Sequence, residues 1–190
     1  GPEGELPWIS VPNDSMPAVL QGKIDRVDLW KGPGSPYFRV VDYKTGKKDF
    51  DYCDVFNGVG LQMLLYMFAL KSSGSDMLGD RPVAAGVQYF PARAPYLTSD
   101  GKLTAEEAEQ ERISKWKRKG LLLNDEDVLQ AMEPGDTPVY LPYQNKKGEL
   151  TGNLATREQF RLLEDFVSGS LRELTQVVIL SDTFEEFAKP

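Results

Sequence analysis

The chain has 190 residues, 41% hydrophobic and 27% charged, a globular composition long enough to build one core and unlike that of a disordered chain. It holds no histidine and one cysteine, so it supplies no His-ligated zinc, no Ser-His-Asp or Cys-His catalysis, no internal disulfide and no self-sufficient iron–sulfur cluster. Its net charge of −7 is unlike the basic face of a self-sufficient nucleic-acid binder, and its longest apolar run, Met63–Leu70, is far short of the roughly 20 residues of a membrane span.

The chain opens Gly1-Pro2-Glu3-Gly4 without a methionine, which reads as an excised fragment with a protease-site scar at its front. So little cysteine makes the cytoplasm the expected compartment. Residues 1–17 carry four prolines and no helical period, and read as an extended lead-in. Residues 18–190 then read as one domain, with its core at 18–92 and a helical remainder at 93–190.

Ala18–Lys31 alternates, with Leu20, Ile24 and Trp30 on one face and Val19, Val27 and Leu29 on the other. Tyr37–Lys44 is a second run rich in aromatic and β-branched residues. The turn formers between them, Gly32-Pro33-Gly34-Ser35-Pro36, predict a β-hairpin. Val55–Leu70 is apolar round most of a helix and reads as a single buried one. A loop is expected over Ser72–Gly79, then a strand over Val83–Phe90. Strand, helix and strand in that order form the crossover of a sheet with parallel neighbours. Leu103–Lys119 reads as a charged helix, Asp125–Met132 as a short one and Val139–Tyr143 as a strand. Thr156 and Gln159 form a capping box that opens a last helix running to about Leu174.

Three ionisable residues interrupt the strand pattern. Asp42 and Lys44 are two apart, so they share a face, and hairpin pairing brings Asp25 across from them. Two close carboxylates repel, and a divalent cation relieves that by supplying the largest local positive charge. Mg2+, with Mn2+ as a substitute, takes oxygen ligands from one or two carboxylates and leaves room for water and a phosphate. Lys44 is then a point charge for a phosphate oxygen or the attacking water, and the expected chemistry is metal-assisted phosphodiester hydrolysis. The plainer reading is that strand-borne Asp and Lys form solvated cross-strand pairs worth little. Gly46 allows a sharp turn after the strand, which would offer Lys47 and Lys48 to backbone phosphates. Thr45-Gly46-Lys47 is no phosphate-binding loop, since Gly-x-x-x-x-Gly-Lys-[Ser/Thr] is absent, and ATP hydrolysis is not expected. The basic run Lys115, Lys117, Arg118 and Lys119 reads as a helix C-terminus favoured by the dipole, and Cys53 as a half-buried small residue.

Three motifs follow one another in order: Gly22-Lys23-Ile24-Asp25-Arg26-Val27-Asp28, Val41-Asp42-Tyr43-Lys44-Thr45-Gly46-Lys47-Lys48 and Gly60-Leu61-Gln62-Met63-Leu64-Leu65-Tyr66. Together they resemble the PD-(D/E)xK nuclease superfamily in its RecB-like branch. Val41–Leu70 most closely resembles the C-terminal nuclease domain of the AddB family, which belongs to ATP-dependent helicase–nucleases. The resemblance implies a restriction-endonuclease-like α/β fold, a mixed central sheet flanked by helices. It implies that Asp25 and Asp42 are metal ligands, that the Tyr43 backbone carbonyl joins them, and that Lys44 is the catalytic lysine. Gln62 and Tyr66 match the Gln-x-x-x-Tyr motif, whose spacing puts both on one helical face to support the site and touch the strand.

The function implied is that of a Mg2+-dependent DNA exonuclease domain in an AddAB-type complex. It would act on unwound strands in double-strand break repair, beside an AddA-like partner subunit that supplies much of the DNA affinity. That family usually carries a 4Fe-4S cluster whose cysteine ligands are absent here. Two rival readings are a non-catalytic module that only binds DNA or docks a partner subunit, and a stand-alone restriction-like or phage exonuclease.

Overall fold

A computed structural model describes residues 9–11, 18–20, 24–32, 34–46, 49–57, 60–73, 75–92, 104–135 and 137–170. The expected hairpin forms: β3 (Arg26–Trp30) runs antiparallel to β4 (Tyr37–Lys44), with Arg26 opposite Val41 and Trp30 opposite Tyr37. The alternating stretch from Ala18 is two strands rather than one. Within it β2 (Ala18–Leu20) pairs antiparallel with β1 (Ile9–Val11) in a separate two-stranded sheet.

The apolar stretch after β4 is also divided. The Asp51 carboxylate accepts from the Cys53 amide at 2.8 Å and starts α1 (Tyr52–Phe56) ahead of the expected helix. Asn57 caps that helix, and Gly60, at φ +75°, carries the left-handed turn that re-aims the chain into α2 (Leu61–Ser73). Cys53 is exposed rather than half-buried, because α1 is one short turn that buries only Val55.

α2 covers β4 and β5 (Val83–Pro91), which pair in parallel as the crossover predicts. The core joins Leu64 and Met67 of α2 to Phe38, Val40, Val87 and Leu121 of the sheet. Completely burying Leu64 and Met67 contributes about 2 kcal/mol each, and Leu64→Ala would cost roughly 3 kcal/mol once the cavity is counted. The expected loop after α2 contains one helical turn, α3 (Ser75–Leu78).

The charged helix is α4 (Ala105–Trp116), which Thr104 and Glu107 open with a capping box. It stops short of Lys119, where β6 (Lys119–Leu123) pairs antiparallel with β5. The run Gly120-Leu121-Leu122-Leu123 is buried on both faces, so it shows neither a helical nor a strand period. Gly120 holds φ +141°, and a Cβ there would lie 2.1 Å from the Val87 carbonyl oxygen, so only glycine permits this strand approach.

α5 (Glu126–Met132) starts at the Asp125 cap as expected. Residues 139–142 are bent rather than extended, because the Glu133 carboxylate accepts from the amides of Val139, Tyr140 and Leu141. The strand there is β7 (Tyr143–Lys146), in a hairpin with β8 (Glu149–Gly152). β9 (Leu154–Ala155) joins β6 in parallel, and the main sheet reads β3-β4-β5-β6-β9. Thr156 and Gln159 exchange the two capping-box bonds, at 2.8 and 3.2 Å, and open α6, helical over 157–170. Phe160, Leu163 and Val167 of α6 close the core, giving a mixed sheet flanked by helices. Among the described residues no helix is long and apolar enough to cross a membrane.

Candidate active site

β4 sets the site by alternation. Phe38 and Val40 face the α2 core, so Asp42 and Lys44 continue that face at the C-terminal end of the strand. Asp25 stands one residue before β3, level with Asp42 in the register that places Arg26 opposite Val41. The Tyr43 amide donates to Asp25 Oδ2 at 3.0 Å, which fixes this carboxylate against the backbone joining Asp42 to Lys44. The hairpin therefore brings Asp25, Asp42 and Lys44 to one place.

Asp42 Oδ2 is fully buried and has no hydrogen-bond partner. Lys44 Nζ lies 2.6 Å from it, an ion pair by distance, yet the ammonium approaches out of hydrogen-bonding alignment. Among the described residues one ammonium is thus the complement of this oxygen, and a carboxylate so held keeps lone pairs for a further cation. Among the described residues no group of three or more His, Cys, Asp or Glu side chains assembles into a metal cage. Two carboxylates offering oxygen alone, with an incompletely satisfied buried oxygen between strands, fit a hard cation that keeps water and takes a phosphate, rather than a soft one.

Tyr89 is the residue that sequence reasoning missed. It pairs in register with Asp42, is 5% exposed and shares the core face of β5 with Val87. Burial, with the charges of Asp42 and Asp54, pushes its hydroxyl up to about 12, so it stays neutral beside the carboxylates at physiological pH. The signal was available: period two in Val83–Phe90, set in parallel register against β4, puts Tyr89 level with Asp42.

Gln62 and Tyr66 meet on α2 as their spacing predicts, with Gln62 Nε2 donating to the Tyr66 hydroxyl at 2.6 Å. A helix linking two parallel strands runs back against them, so its first turns lie at the strand edge that carries Asp42 and Lys44. Among the described residues no hydrogen bond or ion pair links Gln62 or Tyr66 to Asp25, Asp42 or Lys44. Lys47 and Lys48 lie outside the described residues.

The opposite face of the same strands is closed by a different polar group. Asp28 accepts from Arg39 Nε at 2.8 Å and pairs with Arg26 Nε at 2.5 Å. Arg39, 8% exposed, also donates to Gln88 Oε1 at 2.6 Å. Burial alone would raise the Asp28 carboxyl, but the hydrogen bonds from Arg26 and Arg39 outweigh it and hold the group below its ordinary value. Sequence reasoning passed over Arg39, a charge inside an apolar strand, and could not place its partner on β3.

Residues 5–178 match the PD-(D/E)XK nuclease superfamily. The chain is 39% identical to the AddB component of the ATP-dependent helicase/deoxyribonuclease of Clostridium perfringens, over 84% of its own length and 14% of that protein. It is 36% identical to the protein of the same name from Acetivibrio thermocellus over 94% of this chain and 16% of that one. The Moorella thermoacetica protein of that name is 34% identical over the same shares. The chain thus spans 14–16% of the length of these curated relatives.

Proposed function

The chain belongs to the PD-(D/E)xK nuclease superfamily, and from that footing we propose that it is the metal-dependent deoxyribonuclease domain of an AddAB-type helicase–nuclease, trimming unwound DNA strands during double-strand break repair. Its mixed sheet flanked by helices is the restriction-endonuclease-like arrangement of that superfamily. The single observation that carries the reading is the state of Asp42: a buried, unbonded Oδ2 beside the Lys44 ammonium, with Asp25 anchored on the intervening amide.

Asp25 and Asp42, with the Tyr43 backbone carbonyl, would hold Mg2+ or Mn2+. When bound, the cation supplies Lewis-acid polarisation of the phosphate and a water acidic enough to attack it. Lys44, on the same face as Asp42, orients that water and offsets charge growing on the phosphate oxygens. Tyr89 keeps one wall of the site apolar and uncharged, which strengthens the electrostatic interactions within it. Gln62 and Tyr66, locked to each other at the same strand edge, steady the strand being cut, and Lys47 and Lys48 would meet its phosphates. An AddA-like partner and the remainder of the larger protein would bring the strand to this acidic domain, whose own charge disfavours tight unaided binding.

Isothermal titration with Mg2+ or Mn2+, comparing the chain with Asp42→Ala, tests the metal site. Heat of binding in the first and none in the second is expected. Equal binding in both, or none in either, removes the metal site and leaves the non-catalytic module. Cleavage of single-stranded DNA that survives Lys44→Ala at full rate would refute the role given to that lysine.

A further inference from the structure

Arg118 and Lys119 of the basic run both lie beyond the helix that the dipole reading assumed; Lys119 pairs with Asp49 at 3.1 Å, and Arg118 is held differently. α4 ends at Trp116, and Arg118 lies beyond the Lys117 cap in extended chain leading into β6. Its guanidinium sits 4.4 Å from the centroid of the Phe90 ring and 5.6 Å from that of Tyr140. Among the described residues it has no carboxylate partner and donates no side-chain hydrogen bond. Burial, and after it the neighbouring Arg39 guanidinium, hold it below its ordinary value against the opposing pull of Glu133 and Asp28.

Its surroundings point the same way. Arg26, Arg39 and Arg118 share this face of the sheet, and Asp28 is consumed by the first two. Gln88 is fully buried beside Arg39, and its Nε2 is a second donor here without an acceptor. Glu133, the other carboxylate near Arg118 among the described residues, is engaged by the amides of residues 139–141. Two flat rings remain open to solvent: Tyr43, 42% exposed, packs edge-on against Phe90, and Tyr140 is 37% exposed. Ring and cation thus form a contact chain from Tyr43 through Phe90 and Arg118 to Tyr140.

We propose that this face, opposite α2, is a second binding surface for single-stranded nucleic acid, with Arg118 taking a backbone phosphate and Tyr43 and Tyr140 stacking bases. A phosphate supplies the anion that Arg118 lacks, and a planar base fits an open tyrosine ring at little conformational cost. An acidic protein segment would satisfy the guanidinium but leave both rings without a planar partner. Tyr43 also ties the surface to the active site: its side chain lies here, while its backbone lies between the metal-ligand carboxylate and the lysine. The proposal rests on the reading of the chain as a nuclease and extends it to where the strand travels beside the cut.

The test is fluorescence anisotropy of the 190-residue chain with fluorescein-labelled oligothymidylate in EDTA, repeated across a salt series. Arg118→Ala is expected to weaken binding about tenfold and to lower the salt slope by about 0.7, the value of one phosphate contact on a single strand. Tyr140→Ala, at an exposed ring, is expected to weaken it about fivefold, and it decides the matter if Arg118→Ala does not fold. Arg161→Ala removes the same charge from an exposed site on α6 and should leave binding unchanged.

Equal affinity of the chain, Arg118→Ala and Tyr140→Ala overturns the surface, as does absence of binding. Polyglutamate that displaces the oligonucleotide as well as unlabelled DNA does overturns it in favour of an acidic protein partner. Cleavage in Mg2+ is scored separately. Asp42-dependent cleavage without Arg118-dependent binding sinks this surface alone. Arg118-dependent binding without Asp42-dependent cleavage sinks the nuclease reading and leaves the surface standing.

Discussion

Asp28 and Asp42 stand on neighbouring strands and point to opposite faces of one sheet, since Asp28 pairs with Arg39 and Asp42 lies three residues further along β4. Asp28 is met by two guanidiniums that bond both its oxygens. Asp42 has an oxygen that is removed from water and carries no hydrogen bond, with one ammonium beside it. A carboxylate that the protein has fully satisfied stabilises the fold and has nothing left to give a ligand. One held by a single ammonium, out of hydrogen-bonding alignment, gains less from it and keeps lone pairs for something else. The two faces thus separate an aspartate that holds the sheet together from one that the sheet holds ready.

The sharpest test of that division exchanges the consequences of losing each residue. Asp42→Ala is expected to lower metal-dependent cleavage by about a thousandfold or more while leaving the unfolding midpoint unchanged or raised. Cleavage rate and urea unfolding, measured on the same preparation, check both halves. Asp28→Asn should do the reverse, costing about 2 kcal/mol of stability by leaving the nearly buried Arg39 with an unmatched charge. Loss of stability in the first variant and loss of cleavage in the second would dissolve the contrast.

A smaller effect tests what stands beside Asp42. Lys44 Nζ lies 2.6 Å from Asp42 Oδ2, so under the proposed reading it would both repel a cation bound there and compete with it. Lys44→Ala should bind Mg2+ a few-fold more tightly by titration while cutting DNA far more slowly. Tighter binding with slower cleavage is a signature that a merely structural lysine does not produce. Weaker binding would make Lys44 a support for the carboxylate rather than its rival.

How much of this was legible in the sequence follows from what each residue depends on. The hairpin, the parallel crossover and the convergence of Asp25, Asp42 and Lys44 come from period two and turn chemistry, which are local. β6 was missed because Leu121, Leu122 and Leu123 are buried on both faces, which erases any period. The division between α1 and α2 was signalled by Asn57 and Gly60 but outweighed by the apolar run around them. Tyr89, Arg39 and Arg118 take their meaning from strands far away in the chain, as with Tyr89 beside Asp42 and Arg39 on Gln88. Their residue types are ordinary, and only register makes them neighbours.

The last and smallest effect lies in the pH dependence of the two faces. The Asp28 carboxyl is held below its ordinary value in the folded protein, so its folded pKa lies beneath its unfolded one. Stability from such a group is fully present above the unfolded pKa and is lost as pH falls through the folded pKa. Over that acid window the unfolded chain binds the proton first, and the stability curve of the wild type should slope downward. Asp28→Asn has no proton to bind at this position, so its curve should be flatter there by up to one proton's worth of slope. The gap between the two proteins should therefore be widest near neutrality and close toward acid, where the wild-type carboxyl is protonated in both states. Urea unfolding at stepped pH reads this directly. A gap of constant width would mean that Arg26 and Arg39 hold Asp28 by shape rather than by charge, and the two aspartates would then differ in packing and not in electrostatic satisfaction.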